Sequence, residues 1–582
     1  MDNQRLIIWG FFAVMAYMTW QTWMQTYGPQ PAPPPAAAEE TILPADQSMP
    51  SLPATDTDLP ALQSTAPDTA PVVTADEPAA ATGRVVRVTT DVFEIEINTA
   101  GGVIQSASML GYPVAKDTPE QKIQLLSTEQ RDFGAIRGWL RSNNNDAPDA
   151  NTVYEVTQTT FAMNGEDQLV VPLTWTSGNG VTFEKRFIFN RGNYAITLQQ
   201  DIRNGSDTAW RGDQVTQLQR RSYEQERSMF DVDSYSFDGP QLFDGEKAEK
   251  YDRDDLLDDG PFSVTTDNGW YASIQHHFLS AIVPTPGNSN IFQLRVDGNL
   301  LTASVISAPQ TVAAGETGSF EKTLFVGPKL QAQLDELHPK LALTVDYGWL
   351  VILSQPMFWL LSWIYSFVGN WGWAIIGVTV LIKLAFYKLT QSSGRSMAKM
   401  REIQPRMKAL QDRYKDDRQA LSQAMMDLYK REKVNPAAGC LPILIQMPFF
   451  LAFYWVLVES VEMRQAPFAL WITDLSVRDP YFILPLIMGA AMLFQQKLNP
   501  APADPVQARV MQIMPIMFTA FFAFFPSGLV LYWVTNTLLS IAQQWRINQV
   551  VHAETVAAKQ SGGKKNKKDE KDKKDKKENN DD

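Results

Sequence analysis

Five long apolar runs lie between residues 371 and 546, near 371–390, 441–462, 481–497, 510–525 and 528–546. A helix that crosses a bilayer needs about 20 mostly apolar residues, so this block predicts a bundle of membrane-spanning helices. Residues 29 to about 340 are polar and acidic instead, and the mean hydropathy of −0.20 averages two unlike parts. For the same reason the net charge of −13 identifies no single partner.

A lone cysteine, Cys440, excludes an intramolecular disulfide framework and a paired-cysteine metal knuckle. The histidines, His276, His277, His338 and His552, all lie outside the apolar runs, which argues against a histidine-ligated metal in the membrane. His276 and His277 fall on a predicted strand, where neighbours point to opposite faces, and read as ordinary polar residues. There is no P-loop motif, and no cofactor is expected.

The run "LIIWGFFAVMAYMTWQTWM" at 6–24 reads either as a cleaved signal peptide or as an anchor. The nearest small-residue site, "AAA" at 36–38, lies behind a proline cluster, whereas cleavage sites directly follow the apolar region. Residues 1–28 are therefore expected to form an uncleaved anchor. Residues 29–83 are rich in Pro, Ala, Thr and Asp, too poor in large apolar groups to fold, and predict a disordered linker. From 84 to 340, alternating runs such as "RVVRVTTDVFEIEIN" and "VTFEKRFIFN" are separated by Asn, Gly and Asp turns. That pattern predicts a large antiparallel β-domain.

Orientation follows from the loops. Residues 391–440 carry eleven Lys/Arg against six Asp/Glu, the strongest basic bias between any two runs, which places them in the cytoplasm. The β-domain then lies outside and the amino terminus inside. The segment "YGWLVILSQPMFWLLSWIYSFVG" at 347–369 is long enough to span, but a crossing there would put the basic loop outside. With Gln355-Pro356 at its centre and several tryptophans, 341–370 is expected to be an amphipathic helix lying in the outer interface. Six spans with both termini inside is the predicted topology.

Lys383 sits within the run 371–390, where a charge near mid-bilayer costs roughly 2.5–3.5 kcal/mol. At helical spacing Gly372, Ile376, Thr379, Lys383, Tyr387 and Thr390 share one face with it. The acids available within spans, Glu459 and Glu462, lie at the outer end of 441–462, too far out to neutralise it. An ammonium without a carboxylate needs water, which a cavity open to the cytoplasm supplies. Trp533, Asn536, Thr537, Ser540 and Gln544 form a second polar stripe, and Gln446 a third polar point; these read as groove lining or as helix-to-helix hydrogen bonding. Met511, Met514, Phe518, Phe521 and Phe525 on the short run 510–525 read as a soft apolar slide for substrates or as plain packing.

Residues 391–435 predict a basic helical hairpin bending at "DRYKDDRQ", which either contacts lipid headgroups, a ribosome or a nascent chain, or serves only as a topology signal. The tail 547–582 has ten lysines from 559 onward among seven acids and predicts disorder, with ribosomal RNA contact or simple solubilisation as its roles.

The stretches "MAKMREIQPRMKALQDRYKDD", "DLYKREKVNPAAGCLPILIQMPFFLAFYWVLVESVEMRQAPFALWITDLSVRDPYFILPLIMGAAMLFQQKL" and "FPSGLVLYWVTNTLLSIAQQW" closely resemble the YidC membrane protein insertases of Gram-negative bacteria. These belong to an insertase family shared with mitochondria and chloroplasts. The likeness is dense over about 345–546 and looser through the outer domain and anchor. It implies an α-helical polytopic membrane protein with a five-helix core around a hydrophilic groove, open to cytoplasm and lipid and closed outside. It also implies a periplasmic β-sandwich similar in shape to sugar mutarotases, with no activity attached. Lys383 matches the family's basic groove residue, which is arginine in many relatives, so the charge is kept but the bidentate fork is lost. Thr379 and Trp533 match groove positions. The implied function is to insert and help fold nascent inner-membrane proteins, alone or with the Sec translocon. The implied partners are those substrates, the translocon, membrane lipids and, through the hairpin and tail, the ribosome.

Rival classes fare worse. An intramembrane protease needs a nucleophile with a base, or paired aspartates, and no His or Asp lies within the runs; Ser527 in "FPSGL" reads as an outer turn. A small-solute transporter would show an inverted repeat of broken helices, and none is visible. A structural accessory subunit of the translocon is the remaining alternative.

Overall fold

The computed structural model describes residues 83–144, 146–221, 236–414, 417–432, 434, 441–498 and 505–578. The expected anchor and all but the last residue of the expected linker lie outside them.

Between Val85 and Pro328, nineteen strands form an eleven-stranded and an eight-stranded sheet among the described residues. The period of two is plain in Val181–Asn190, where Val181, Phe183, Lys185, Phe187 and Phe189 turn inward and the residues between them outward. Buried residues of both sheets, such as Ile95 and Phe187, join one apolar core. A single ladder departs from the antiparallel expectation: Val85–Thr89 runs parallel to the three-residue strand Thr160–Ala162.

The two histidines also depart from expectation. Gln275 pairs with Phe278 across a hairpin, so His276 and His277 are its two-residue turn, with His276 at φ 47°. Tight hairpins require positive φ at such positions. The turn therefore brings both rings to one side, stacked with centroids 3.7 Å apart, rather than to opposite faces.

Two short helices, α1 (Arg253–Asp258) and α2 (Gln331–Leu337), accompany the sheets. The helical part comprises α3 (Val351–Val368), α4 (Trp371–Ala385), α5 (Tyr387–Arg413), α6 (Arg418–Arg431), α7 (Leu441–Glu459), α8 (Ile483–Leu498), α9 (Pro505–Phe522) and α10 (Ser527–Glu578). Helix α10 packs against α4, α5, α7 and α8, while α3 packs against α4 and α7. Among the described residues, one helix, Gly348–Val368, suffices by length and apolarity to cross a membrane alone, and the bent pair α4–α5 qualifies if taken as one span.

Several boundaries move. The run 371–390 is not one straight helix, because α4 stops at Ala385 and α5 leaves at 68°. Neither proline nor glycine marks that corner; the Phe386 ring sits edge-on to Phe449 at 5.1 Å and holds it. Helix α9 starts at Pro505 and ends at Phe522, displaced from 510–525. The last helix does not end at 546: Ile547 and Val551 bury against Ala398, and the backbone stays helical to Glu578, where composition predicts disorder. Alanine, lysine, glutamine and glutamate there are all strong helix formers. The hairpin begins at Tyr387, its first helix ending at Arg413 and its second starting at Arg418, with Asp417 capping α6 through Gln419 and Ala420 amides. Its apolar stripe is spent inside, since Met407 and Leu428 are buried with Ile403, and Met400, Leu410 and Met425 pack against them.

Candidate substrate groove

Lys383 lies near the end of α4, just before the corner, and is half-buried. Its Nζ donates to Ser540 Oγ on α10 at 2.8 Å, and that hydroxyl in turn donates to the Asn536 carbonyl at 2.7 Å. With Ile382, Phe386, Leu389, Thr390, Ile445, Gln446 and Phe449, Lys383 lines an open recess. No carboxylate among the described residues pairs with it. Glu459 is committed elsewhere: it lies 3.5 Å from Lys329 Nζ, both side chains buried, and accepts from Ser236 Oγ at 2.9 Å.

The residues expected in the groove divide into three groups. Lys383 and Gln446 line the recess, and Ser540 and Asn536 reach Lys383 from α10 through the hydrogen-bond chain without lining it. Trp533 stands further along α10 in an aromatic wall, with ring centroids 4.9 Å from Phe450, 5.3 Å from Phe522 and 6.3 Å from Phe518. Gly372 and Thr379 do not present groove surface. A Cβ on Gly372 would stand 2.0 Å from the Phe468 ring, so glycine there admits a lid of outer loop. Thr379 is buried and returns its hydroxyl to the Ile375 carbonyl at 2.7 Å, as hydroxyls in mid-helix commonly do.

On α9, Met511, Met514 and Phe518 are half-buried, Phe518 against the bundle core, whereas Phe521 is 56% exposed. The most open apolar side chains of that helix are instead Ile513, Ile516 and Met517, at 60% or more. Sequence reasoning missed Phe386, Leu389 and Phe449 because the helix corner that collects them carries no breaker residue. "QMPFF", with Phe449 directly after Pro448, was the available signal.

The end of the bundle nearest the β-domain is closed by the loop 464–482. Asp474 Oδ1 accepts from Gln465 N and from the Ser476 amide and hydroxyl, at 2.7–3.0 Å. Asp479 accepts from the amides of Tyr481 and Leu484 at the start of α8 and from Trp471 Nε1. Ser527 is fully buried, donating from Oγ to the Asp474 carbonyl at 2.7 Å, which makes it a packed turn rather than a nucleophile.

Two family models match the chain: the YidC periplasmic domain over residues 85–360 and the 60Kd inner membrane protein over 363–554. Among similar proteins, the membrane protein insertase YidC of Thioalkalivibrio sulfidiphilus is 46% identical across 94% of this chain and 98% of its own. The corresponding insertase of Nitrosococcus oceani is 44% identical across 95% of this chain and 100% of its own. A solved structure of an active YidC insertase with its first transmembrane domain resolved aligns at 19% identity over 80% of this chain and 94% of that chain, with a TM-score of 0.38. A galactose mutarotase related enzyme from Lactobacillus acidophilus aligns over 42% of this chain and 97% of its own, at 10% identity and a TM-score of 0.29. Two matched models spanning the β-domain and the helices, with near-full-length relatives above 40% identity, make one conclusion plain: this chain belongs to the YidC family of membrane protein insertases, non-enzymatic proteins of the inner membrane with a periplasmic domain.

Proposed function

We propose that this insertase works through a hydrated groove, entered from the cytoplasm, in which Lys383 draws the polar outer segment of a substrate partway across the membrane. The observation that carries the reading is an ammonium that pairs with no carboxylate among the described residues and lines an open recess. Water in such a recess shortens the low-dielectric path that a polar segment must cross. Lys383 then attracts acidic residues of that segment, while Gln446 offers a neutral hydrogen-bonding partner. Helix α8, at 16 residues, is about 24 Å long against a hydrocarbon core of about 30 Å, which favours local thinning. The substrate's own apolar helix leaves sideways along the α9 surface, driven by burial in lipid. No nucleotide enters this scheme.

Six spans accompany the mechanism: an anchor within 1–28, then α4, α7, α8, α9 and α10, with both termini in the cytoplasm and the β-sandwich in the periplasm. Helix α3 is apolar enough to cross, yet a crossing there would carry the basic hairpin outside. Its exposed stripe of Ile352, Trp359, Trp363 and Phe367, with Trp349 in the turn just before it, suits the interface, where tryptophan is enriched. The Sec translocon and the ribosome are the expected partners, the latter through the basic outer face of α5–α6 and the lysine-rich end of α10.

Reconstituted insertion tests the groove. Lys383→Ala should lower insertion of substrates with acidic outer segments about five- to tenfold, a modest share of the attraction between charges near contact, and Lys383→Arg should retain it. Equal insertion by wild type and Lys383→Ala in proteoliposomes would remove the basis of the reading.

A further inference from the structure

We propose that Ser540 is the positioning residue that holds the Lys383 ammonium at depth; the inference rests on the groove reading and adds a second residue to its specificity. A serine hydroxyl has one proton, and that of Ser540 goes to the Asn536 carbonyl one turn back on α10. Toward Lys383 the hydroxyl can therefore only accept, and the 2.8 Å contact is an N–H donation from the ammonium. An ammonium has three donors. One is fixed on α10, and two remain for what enters the recess.

The need for such a tether follows from the side chain itself. Lysine has a flexible four-carbon stem, and near the end of a spanning helix it snorkels toward water. Lys383 lies two residues before the end of α4 and so sits within reach of the inner surface. A charge at the mouth of the groove would be screened by bulk water; a charge held against α10 acts in a less polar setting, where attraction is stronger. Ser540 also fixes a side chain whose free rotamers would otherwise have to be ordered by each incoming substrate. Nothing else among the described residues anchors the ammonium. Gln446 and Thr390 share the recess without a hydrogen bond to it.

The test measures insertion, in proteoliposomes containing the full chain, of one substrate in two forms: an outer segment with two aspartates, and the same segment with asparagines. The readout is the ratio of the two insertion yields. Ser540→Ala should lower that ratio about threefold or more, Ser540→Thr should restore it, and Ser540→Asp, which places a carboxylate beside Lys383, should bring it down to the Lys383→Ala value. In a Lys383→Ala background, Ser540→Ala should change the ratio no further, which a merely structural serine would not obey. If Ser540→Ala leaves the ratio at the wild-type value while Lys383→Ala lowers it, the positioning role is overturned and the groove reading stands. If Lys383→Ala itself leaves the ratio unchanged, both fall together. An additional drop on combining the two alanines also overturns the proposal, because Ser540 would then act by a route other than Lys383.

Discussion

Lys185 lies between the two sheets of the periplasmic domain, fully buried, and donates to the carbonyls of Gly101, Gly102 and Gly138 at 2.9, 2.6 and 2.7 Å. Two of those acceptors exist because "AGG" turns with Gly101 at φ 72° and Gly102 at φ 56°, a region that side chains resist. Three acceptors for three donors satisfy the ammonium, yet burial still pushes its pKa down from 10.5 to about 7. The folded domain then binds fewer protons than the unfolded chain between about pH 7 and 10.5, so this group's contribution to stability rises with pH across that window. Lys322, also buried, shifts the same way for the same reason, with Asp213 pulling it back. Replacing Lys185 with methionine strands three carbonyls and should cost about 2–3 kcal/mol. The urea midpoint of the domain in the purified full chain, followed by proteolytic susceptibility, should fall accordingly, and its rise between pH 7 and 10 should flatten. A midpoint equal to wild type would show the three contacts to be energetically idle.

Among the helices, close approach is set by single small residues. A Cβ on Gly489 of α8 would stand 2.1 Å from Thr519 Oγ1 of α9, so these two helices touch only because the glycine has no side chain. Gly489→Val should force them apart at a cost of about 1–3 kcal/mol. Thermal unfolding of the detergent-solubilised protein should move down by several degrees, while an unchanged transition would mean that the pair separates freely. Such pairs show what the sequence revealed and what it concealed. Apolar runs and alternating strands were legible, because burial imposes periods that a single chain carries openly. The corner at Phe386 was not, since an aromatic contact with Phe449, 63 positions away, holds it rather than a breaker residue. The contact of Lys383 with Ser540 of the α10 stripe was legible, because polar groups in apolar runs stand out. On α4, Gly372 and Thr379 share the helical spacing of Lys383, but one faces an incoming loop and the other bonds its own backbone. Spacing assigns a face to a residue without saying what will cover it.

Between the periplasmic domain and the helices, polar contacts come both from hairpin turns and from the segment that follows the last strand. Arg464 donates to the carbonyls of Pro113 and Val114 at 2.9 and 3.0 Å, Lys116 donates to Thr473 O, and Lys329 meets Glu459. The His276–His277 turn completes this junction, with both Nε2 atoms on the Val458 carbonyl near the end of α7, at 3.2 and 2.8 Å. Burial, followed by the positive charges of His276, Lys329 and Arg464, holds His277 well below its usual 6.5, against the pull of the Val458 carbonyl. The junction therefore accepts His277 neutral, whereas a released turn would protonate as the pH falls through about 6.5. Release binds the proton, so each pH unit below that point should weaken the junction roughly tenfold, until the lowered value is reached. Between pH 7.5 and 5.5, amide exchange in residues 460–474 of the full chain should accelerate beyond its intrinsic pH dependence. His277→Asn, which cannot take up a proton, should abolish that excess. Its persistence in the variant would assign the sensitivity to another group at the junction, and its absence from the wild type would show that the hairpin stays seated with a charged ring. A junction seated on a neutral His277 would therefore couple the grip of the outer domain to the acidity on its own side of the membrane.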